Sequence, residues 1–183
     1  MDIGSSPPSP DFGVHRSGSP CASNIADVVT GEDLREVMRA SPSPICVVTI
    51  QLEETRVGLT VGSLVSLSLE PPLVGFALGR QAQLHELLRG AGEFGVSLLG
   101  ADQEALAQHF ARSVPPIAMW TGIELRDDDG PPLIAGSLGW LRCSVESEHP
   151  TGDHTFFVGR VQWTDVGVRR PALVYVRQGY ESV

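Results

Sequence analysis

RVGLTVGSLVSLSLEPPLVGFALG (residues 56–79) decides the reading of this chain. Its apolar period is that of a strand rather than a helix. Residues 56–69 read as one long strand or as two joined by a bend at Gly62, and LVGFALG (73–79) follows Pro71-Pro72 as a further strand. Gly58, Thr60, Gly62 and Ser63 leave backbone N–H groups open and add little bulk, which suits close approach by a flat, hydrogen-bonding ring system. Glycines at bulges and barrel corners account for the same residues. Both readings stand on these residues alone.

Working outward, ICVVTI (45–50) is a compact β-branched strand. Thr30 with Asp33 forms a capping arrangement, and Leu34, Val37 and Met38 follow at helical spacing. A short amphipathic helix is expected there, ending by Ser41 because Pro42 and Pro44 remove donors and restrict their neighbours. Residues 1–24 are rich in Pro, Ser and Gly and lack the apolar stretch of a secretory signal. They are expected to be a flexible tail ahead of one domain over 25–183. Downstream, a helix is expected over 82–90 with Leu84, Leu87 and Leu88 inside, then a strand at EFGVSLL (93–99). A third helix is expected over 101–111, burying Leu106 and Phe110. GSLGWLRCSVES, HTFFVGRVQWTDV and PALVYVRQGY read as three closing strands, with Leu141, Cys143 and Val145 alternating with polar neighbours. Roughly seven strands and about three flanking helices, without a βαβ rhythm, make a mainly β, antiparallel barrel that is closed or nearly so.

The chain has 183 residues, enough for one ordinary domain. Acidic residues number 22 against 13 basic ones, a formal charge of −9, and every basic residue is Arg. That balance argues against nucleic acid as a partner, since duplex binding leaves a basic footprint. No run of about eighteen apolar residues is present to span a membrane as a helix. Cys21, Cys46 and Cys143 are widely spaced, without a CxxC pair, and so form neither a disulfide framework nor a zinc-finger pattern. Cys46 and Cys143 lie in apolar stretches and read as small core residues in a cytoplasmic, reducing setting.

Several motif fragments fail on spacing. DDDG (127–130) lacks the alternate ligands of a calcium loop and reads as a solvated turn. His85-Glu86 opens an HExxH string that Arg89 breaks, and GxSxG, GxGxxG and Walker patterns are missing. His149, Asp153 and His154 stand close together before a strand. They support three readings: part of a metal site needing another ligand, a polar loop capping the strand, or His154 acting on a bound ligand.

Taken together, VGLTVGSLVSLSLEPPLV, EFGVSLL followed by QHFA, PPLIAGSLGWLRC, GDHTFFVGRV and YVRQGY resemble the flavin reductase-like family from about Leu34 to Tyr180. SLSLEPPLV combined with GDH-x-x-x-x-G-x-V is the most specific part of the likeness. The resemblance implies a flavin-binding split barrel of Greek-key type. It also implies an NAD(P)H:flavin oxidoreductase using FMN or FAD with NADH, or else NADPH, and supplying reduced flavin to a partner monooxygenase. Relatives are commonly homodimers with flavin sites near the subunit interface. In such relatives the segment matching Arg56, Val57, Gly58, Leu59, Thr60, Gly62 and Ser63 wraps the flavin ring edge. Positions matching Ala77, Leu78 and Gly79 run past the flavin, and Gln83 and Leu84 lie near its phosphate. His109 and Phe110 match another flavin-contacting pair. His154 corresponds to a histidine in the nicotinamide pocket, and Tyr175, Val176, Arg177 and Gln178 to a segment contacting the dinucleotide.

The chain departs from the family pattern where Ala82 and Leu84 replace hydroxyl residues near the phosphate, with Arg80 supplying charge nearby. It departs again at Ser97, another cofactor position, where many relatives have Asn, and near Pro44. Arg169-Arg170 reads either as a contact for a 2′-phosphate or as a solvated turn. Two other functions use the same fold: a split-barrel flavoprotein acting directly on an organic substrate, and a non-catalytic flavin or ligand-binding module.

Overall fold

The computed structural model describes residues 28–112, 114–126 and 129–183. The expected tail over 1–24, Cys21, and the first two residues of the DDDG turn lie outside them. β2 (Cys46–Leu52) and β3 (Thr55–Val61) form a hairpin in register from Cys46↔Val61 to Leu52↔Thr55. β4 (Val65–Leu69) and β5 (Pro72–Gly79) form a second hairpin, turning at the cis peptide Glu70–Pro71. The long 56–69 stretch is therefore two strands, broken at residues 62–64. β6 (Glu93–Leu98), β7 (Gly139–Thr151) and β8 (His154–Val166) form an antiparallel meander between the two hairpins. The order of this seven-stranded sheet is β3-β2-β6-β7-β8-β5-β4.

β3 and β4 end the sheet without pairing to each other, so the barrel stays split along that seam. The Ser63 hydroxyl spans the gap, accepting from Ala77 N at 3.0 Å and donating to Ala77 O at 3.2 Å. A second sheet joins β1 (Ser43–Pro44), β9 (Leu173–Val176) and β10 (Gly179–Ser182). The closing stretch expected as one strand is thus the β9–β10 hairpin, turning on Arg177 and Gln178, both in the left-handed region.

Val47, Val48 and Ile50 of β2 are fully buried, as are Phe76, Phe94 and Phe157. The Phe76 ring meets Phe94 edge-on at 5.2 Å and stacks on Phe157 at 6.0 Å. Burial of each such side chain contributes on the order of 1.5–3 kcal/mol. Helix α2 (Gln83–Ala91) lays Leu84 and Leu88 on this core and ends at Gly92 with φ 69°, the left-handed cap that glycine adopts without strain. The third expected helix is a 3₁₀ turn, Ala101–Gln103, followed by α3 (Glu104–Phe110), which buries Ala107 and Phe110 more deeply than Leu106. A short α4 (Pro116–Met119) occupies the loop after it.

α1 (Gly31–Met38) has the expected capping box between Thr30 and Asp33. Among the described residues, however, its apolar side is left largely uncovered: Leu34, Val37 and Met38 are 59%, 71% and 54% exposed. The helix is held by its cap and by ion pairs of Glu32 with Arg35 and Glu36 with Arg39. No helix among the described residues is long and apolar enough to cross a membrane.

Candidate active site

β3 is an end strand, so alternate backbone groups along it face away from β2 into two hollows. The Gly58 N–H reaches the Met119 sulfur at 3.1 Å, and the Arg56 carbonyl accepts from Trp120 Nε1 at 2.9 Å. Gly58 is required by packing: a Cβ there would lie 2.8 Å from two ring carbons of the fully buried Phe110. Phe110 therefore props β3 from beneath and does not face a ligand directly.

The first hollow, about 100 Å³, lies between Val57–Leu59 and the start of α2, with Arg112 and Met119 at its side. Ala82 caps α2 without a side-chain hydrogen bond, leaving first-turn N–H groups without a side-chain partner beside the hollow. Gln83 is exposed at the first helical position. Leu84 and Leu78 turn their side chains into the core, as Val57 does, so these positions offer backbone rather than side chain. Ala77 is partly buried on β5, and Arg80, just past it, is exposed, its N–H bonding the Asp153 carbonyl at 3.1 Å.

His154 stands opposite Gly79 in the β5–β8 ladder. Its Nδ1 donates to Asp153 Oδ1 at 2.7 Å, because a carboxylate only accepts. That bond holds the Asp153 carboxyl below the usual range, aided by the nearby charge. His154 Nε2 is left beside Gly79, where a Cβ would come within 3.7 Å of it. The imidazole is 47% exposed, open to a ligand at the strand end.

The second hollow, a groove of about 580 Å³, lies between Thr60 on β3 with Gly62 just past its end and Tyr175, Gln178 and Tyr180 on the β9–β10 hairpin. The two tyrosine rings meet edge-on at 5.2 Å. Thr60 donates its hydroxyl to the Ala107 carbonyl at 2.7 Å. Ala111 lines both hollows, so they flank one strand rather than lying apart.

Ser97, His109 and Arg170 make side-chain contacts within the fold, and Val176 and Arg177 lie beside the groove rather than in it. Ser97 is fully buried, and its hydroxyl accepts the Ile134 N–H at 3.0 Å, so it is not brought to either hollow. His109 spends Nε2 on the Met119 carbonyl at 2.7 Å. Val176 and Arg177 line a separate small hollow beside the groove. Arg170 pairs with Asp102 at 2.6 Å and bonds the Gly136 carbonyl, which gives it a structural task.

His149 meets the Ser147 hydroxyl at 3.1 Å rather than joining Asp153 and His154, and no metal-holding trio occurs among the described residues. His85 is buried between Glu86 at 2.9 Å and the Thr155 hydroxyl at 2.8 Å, next to His154 in sequence. Sequence reasoning passed over Met119, Arg112, Glu104 and Tyr180. Only Tyr180 carried a signal, as the end of YVRQGY.

Residues 38–183 match the flavin reductase like domain. The reductase component of 4-hydroxyphenylacetate 3-monooxygenase from Thermus thermophilus is 39% identical over 83% of this chain and 96% of its own length. The NADH-dependent FAD reductase of Streptomyces globisporus is 39% identical over 78% of this chain and 82% of its own. The solved NADH:FAD oxidoreductase of Streptomyces globisporus C-1027, in complex with NAD and FAD fragments, superposes with a TM-score of 0.78 at 32% identity. That superposition covers 85% of this chain and 96% of the solved one. With the split barrel and the two hollows along β3 in place, the chain belongs to the flavin reductase-like family.

Proposed function

We propose that this chain, as a domain over 25–183, transfers hydride from NADH or NADPH to FMN or FAD and supplies reduced flavin to a partner monooxygenase. The observation that carries the reading is the hollow that joins the β3 edge to the start of α2, with His154 at the head of β8 paired to Gly79, whose carbonyl accepts from the Ala82 N–H at that helix start. A bound flavin supplies a ring that takes hydride and then carries it away as reduced flavin.

The residues fit that group. The outward Gly58 N–H is met only by a thioether, a weak acceptor that a ring carbonyl displaces readily. The α2 start offers first-turn donors to a phosphate, with Arg112 and Arg80 nearby supplying positive charge. Ser63, Ala77 and Gly79 shape the seam between β3 and β5, and Phe110 and His109 support β3 and α4 behind it.

Backbone donors along β3 stabilise negative charge without reorganising. Asp153 fixes the proton of His154 on Nδ1, so Nε2 is the nitrogen presented to a nicotinamide amide or to a mobile proton. The groove lined by Tyr175 and Gln178 takes the dinucleotide.

A homodimer follows from the same reading. Leu34, Val37 and Met38 on α1 and Val65, Leu67 and Leu69 on β4 are exposed apolar side chains that a second copy covers. The free, buried Cys46 and Cys143 accord with a cytoplasmic setting. The test is steady-state oxidation of NADH with catalytic FMN and then FAD. Rapid flavin-dependent loss of the reduced-nicotinamide absorbance supports the reading. No oxidation with either flavin, or with NADPH, overturns it.

A further inference from the structure

His85 is a buried titratable group that the proposed chemistry leaves unused. It sits in the first turn of α2, 5% exposed, beside the core residues Leu84 and Leu88. Glu86 Oε1 lies 2.9 Å from its Nδ1, and a carboxylate only accepts, so Nδ1 carries the proton. In the neutral ring Nε2 is then the acceptor for the Thr155 hydroxyl at 2.8 Å. The Phe157 ring meets the imidazole edge-on at 5.6 Å and holds its plane. A leucine would fill this place with less desolvation, since a buried polar group costs stability unless it is paired. A fully paired one specifies a geometry.

The partner in that bond adjoins His154. Thr155 is 4% exposed and follows His154 on β8, opposite Leu78. On the other side of His154, the Asp153 carbonyl accepts from the Arg80 N–H at 3.1 Å. Both chain neighbours of His154 are therefore held by residues 80–85, the segment that starts α2. That segment is also closed on itself: the Ala82 N–H bonds the Gly79 carbonyl and the His85 N–H bonds the Ala82 carbonyl, each at 2.9 Å. A second tie from α2 to the β7–β8 hairpin lies farther along the helix, where Arg89 Nε donates to Glu148 at 2.8 Å. Its side chains are 48% and 33% exposed, and exposed pairs of this kind contribute little.

We propose that His85 is a positioning residue for hydride transfer, its Nε2 bond to Thr155 setting where His154 stands relative to the start of α2. The inference rests on the reductase reading, in which the α2 start meets the flavin phosphate and His154 faces the nicotinamide. One buried bond then joins the elements that hold the two cofactors. Loosening it leaves each cofactor its own contacts and alters their mutual alignment, on which hydride transfer depends steeply.

The test compares the parent with Thr155→Val, which keeps the shape and loses the hydroxyl, and with His85→Leu, His85→Gln and Arg89→Gln. With FMN and NADH, Thr155→Val and His85→Leu are each expected to lower kcat about tenfold, with the KM for NADH and the Kd for FMN changed less than about twofold. Their combination should lose no more than either alone, because both remove one bond. His85→Gln keeps a polar atom within reach of Thr155 and should regain most of the loss. Arg89→Gln should stay within about twofold of the parent.

An unchanged kcat in Thr155→Val, or a loss carried by KM instead, overturns the proposal. So do losses that add in the double variant. A loss in Arg89→Gln equal to that in His85→Leu also overturns it, by assigning the effect to helix docking in general. If the parent protein fails to oxidise NADH, the reductase reading falls separately, and the positioning is read from the ring nitrogens of His154 by NMR. A shift in His85→Leu that His85→Gln largely reverses sustains the positioning, and unmoved resonances overturn it.

Discussion

His154 donates from Nδ1 to Asp153 at 2.7 Å, and in doing so commits its other nitrogen to the end of β5 beside Gly79. Replacing His154 by Ala is expected to lower NADH-dependent turnover at least tenfold while leaving flavin affinity nearly intact. Asp153→Asn should produce part of the same loss, because an amide oxygen still accepts but no longer carries charge. Steady-state kinetics beside a flavin titration separate the two effects. Unchanged kinetics in His154→Ala contradict the role. The Asp153 carboxyl is held below its ordinary value, about 3.9, so its bond to His154 contributes above that pH and is lost as pH falls through the lowered value. Nitrogen NMR of His154 across acid pH reads that loss directly.

Gly58 and Phe110 form the tightest contact behind the candidate site. Gly58→Ala puts a methyl within 2.8 Å of a ring that has no room to retreat. Overpacking of this kind costs about 1–3 kcal/mol. The expected result is lower stability in urea together with weaker flavin binding, because β3 is displaced. Adding Phe110→Leu should recover part of both. Failure of the second change to recover either shows that the contact does not set the strand's position.

Cys46 and Cys143 give the protein an alkaline limit. Burial pushes each thiol up to about 12. In the unfolded chain thiols ionise near about 8.5. Between those values the folded state holds protons that the unfolded state has released. Stability is then full below about 8.5 and falls with rising pH, by up to about 1.4 kcal/mol per pH unit for each thiol. Unfolding measured from neutral pH to pH 10 should show this decline, and Cys46→Ala with Cys143→Ala should flatten it. An equal slope in that double variant assigns the decline to other groups.

The apolar side of α1 predicts the oligomer. Leu34→Asp combined with Val37→Asp should shift sedimentation from dimer to monomer, with the far-ultraviolet circular dichroism preserved. Among the described residues these side chains are mostly exposed, so folding is expected to survive their replacement. A parent protein that sediments as a monomer, or a variant that still dimerises, contradicts that interface.

Much of the barrel is legible because its strands bury one face or both. ICVVTI and EFGVSLL become β2 and β6, paired from Cys46↔Leu98 to Thr49↔Gly95. The Thr30–Asp33 cap is legible for a local reason, since it needs only neighbours in sequence. What α1 packs against is not legible: periodicity marks a face that needs a partner and is silent on where the partner lies. The β9–β10 hairpin is hidden for a different reason. Its turn uses Arg177-Gln178 instead of Asn-Gly, so nothing in the residue types announces a reversal.

At the site, likeness to relatives carries positions but not side-chain directions. Phe110 and Ser97 lie in the expected elements, yet both are fully buried, one beneath Gly58 and the other bonded to Ile134. Asp153 is visible as part of GDH, but its bond to Nδ1, which decides which nitrogen of His154 is presented, needs coordinates. Met119 and Glu104 come to the hollows only through the packing of α3 and α4 on β3.

The most direct measurement is anaerobic rapid mixing of the protein and oxidised flavin with NADH, and with NADH deuterated at the transferred position. Hydride transfer in this cleft requires flavin bleaching that depends on the protein and matches NADH loss one for one. A slower rate with deuterium is expected, together with a marked decrease in His154→Ala. Flavin that stays oxidised while NADH persists contradicts the reductase outright.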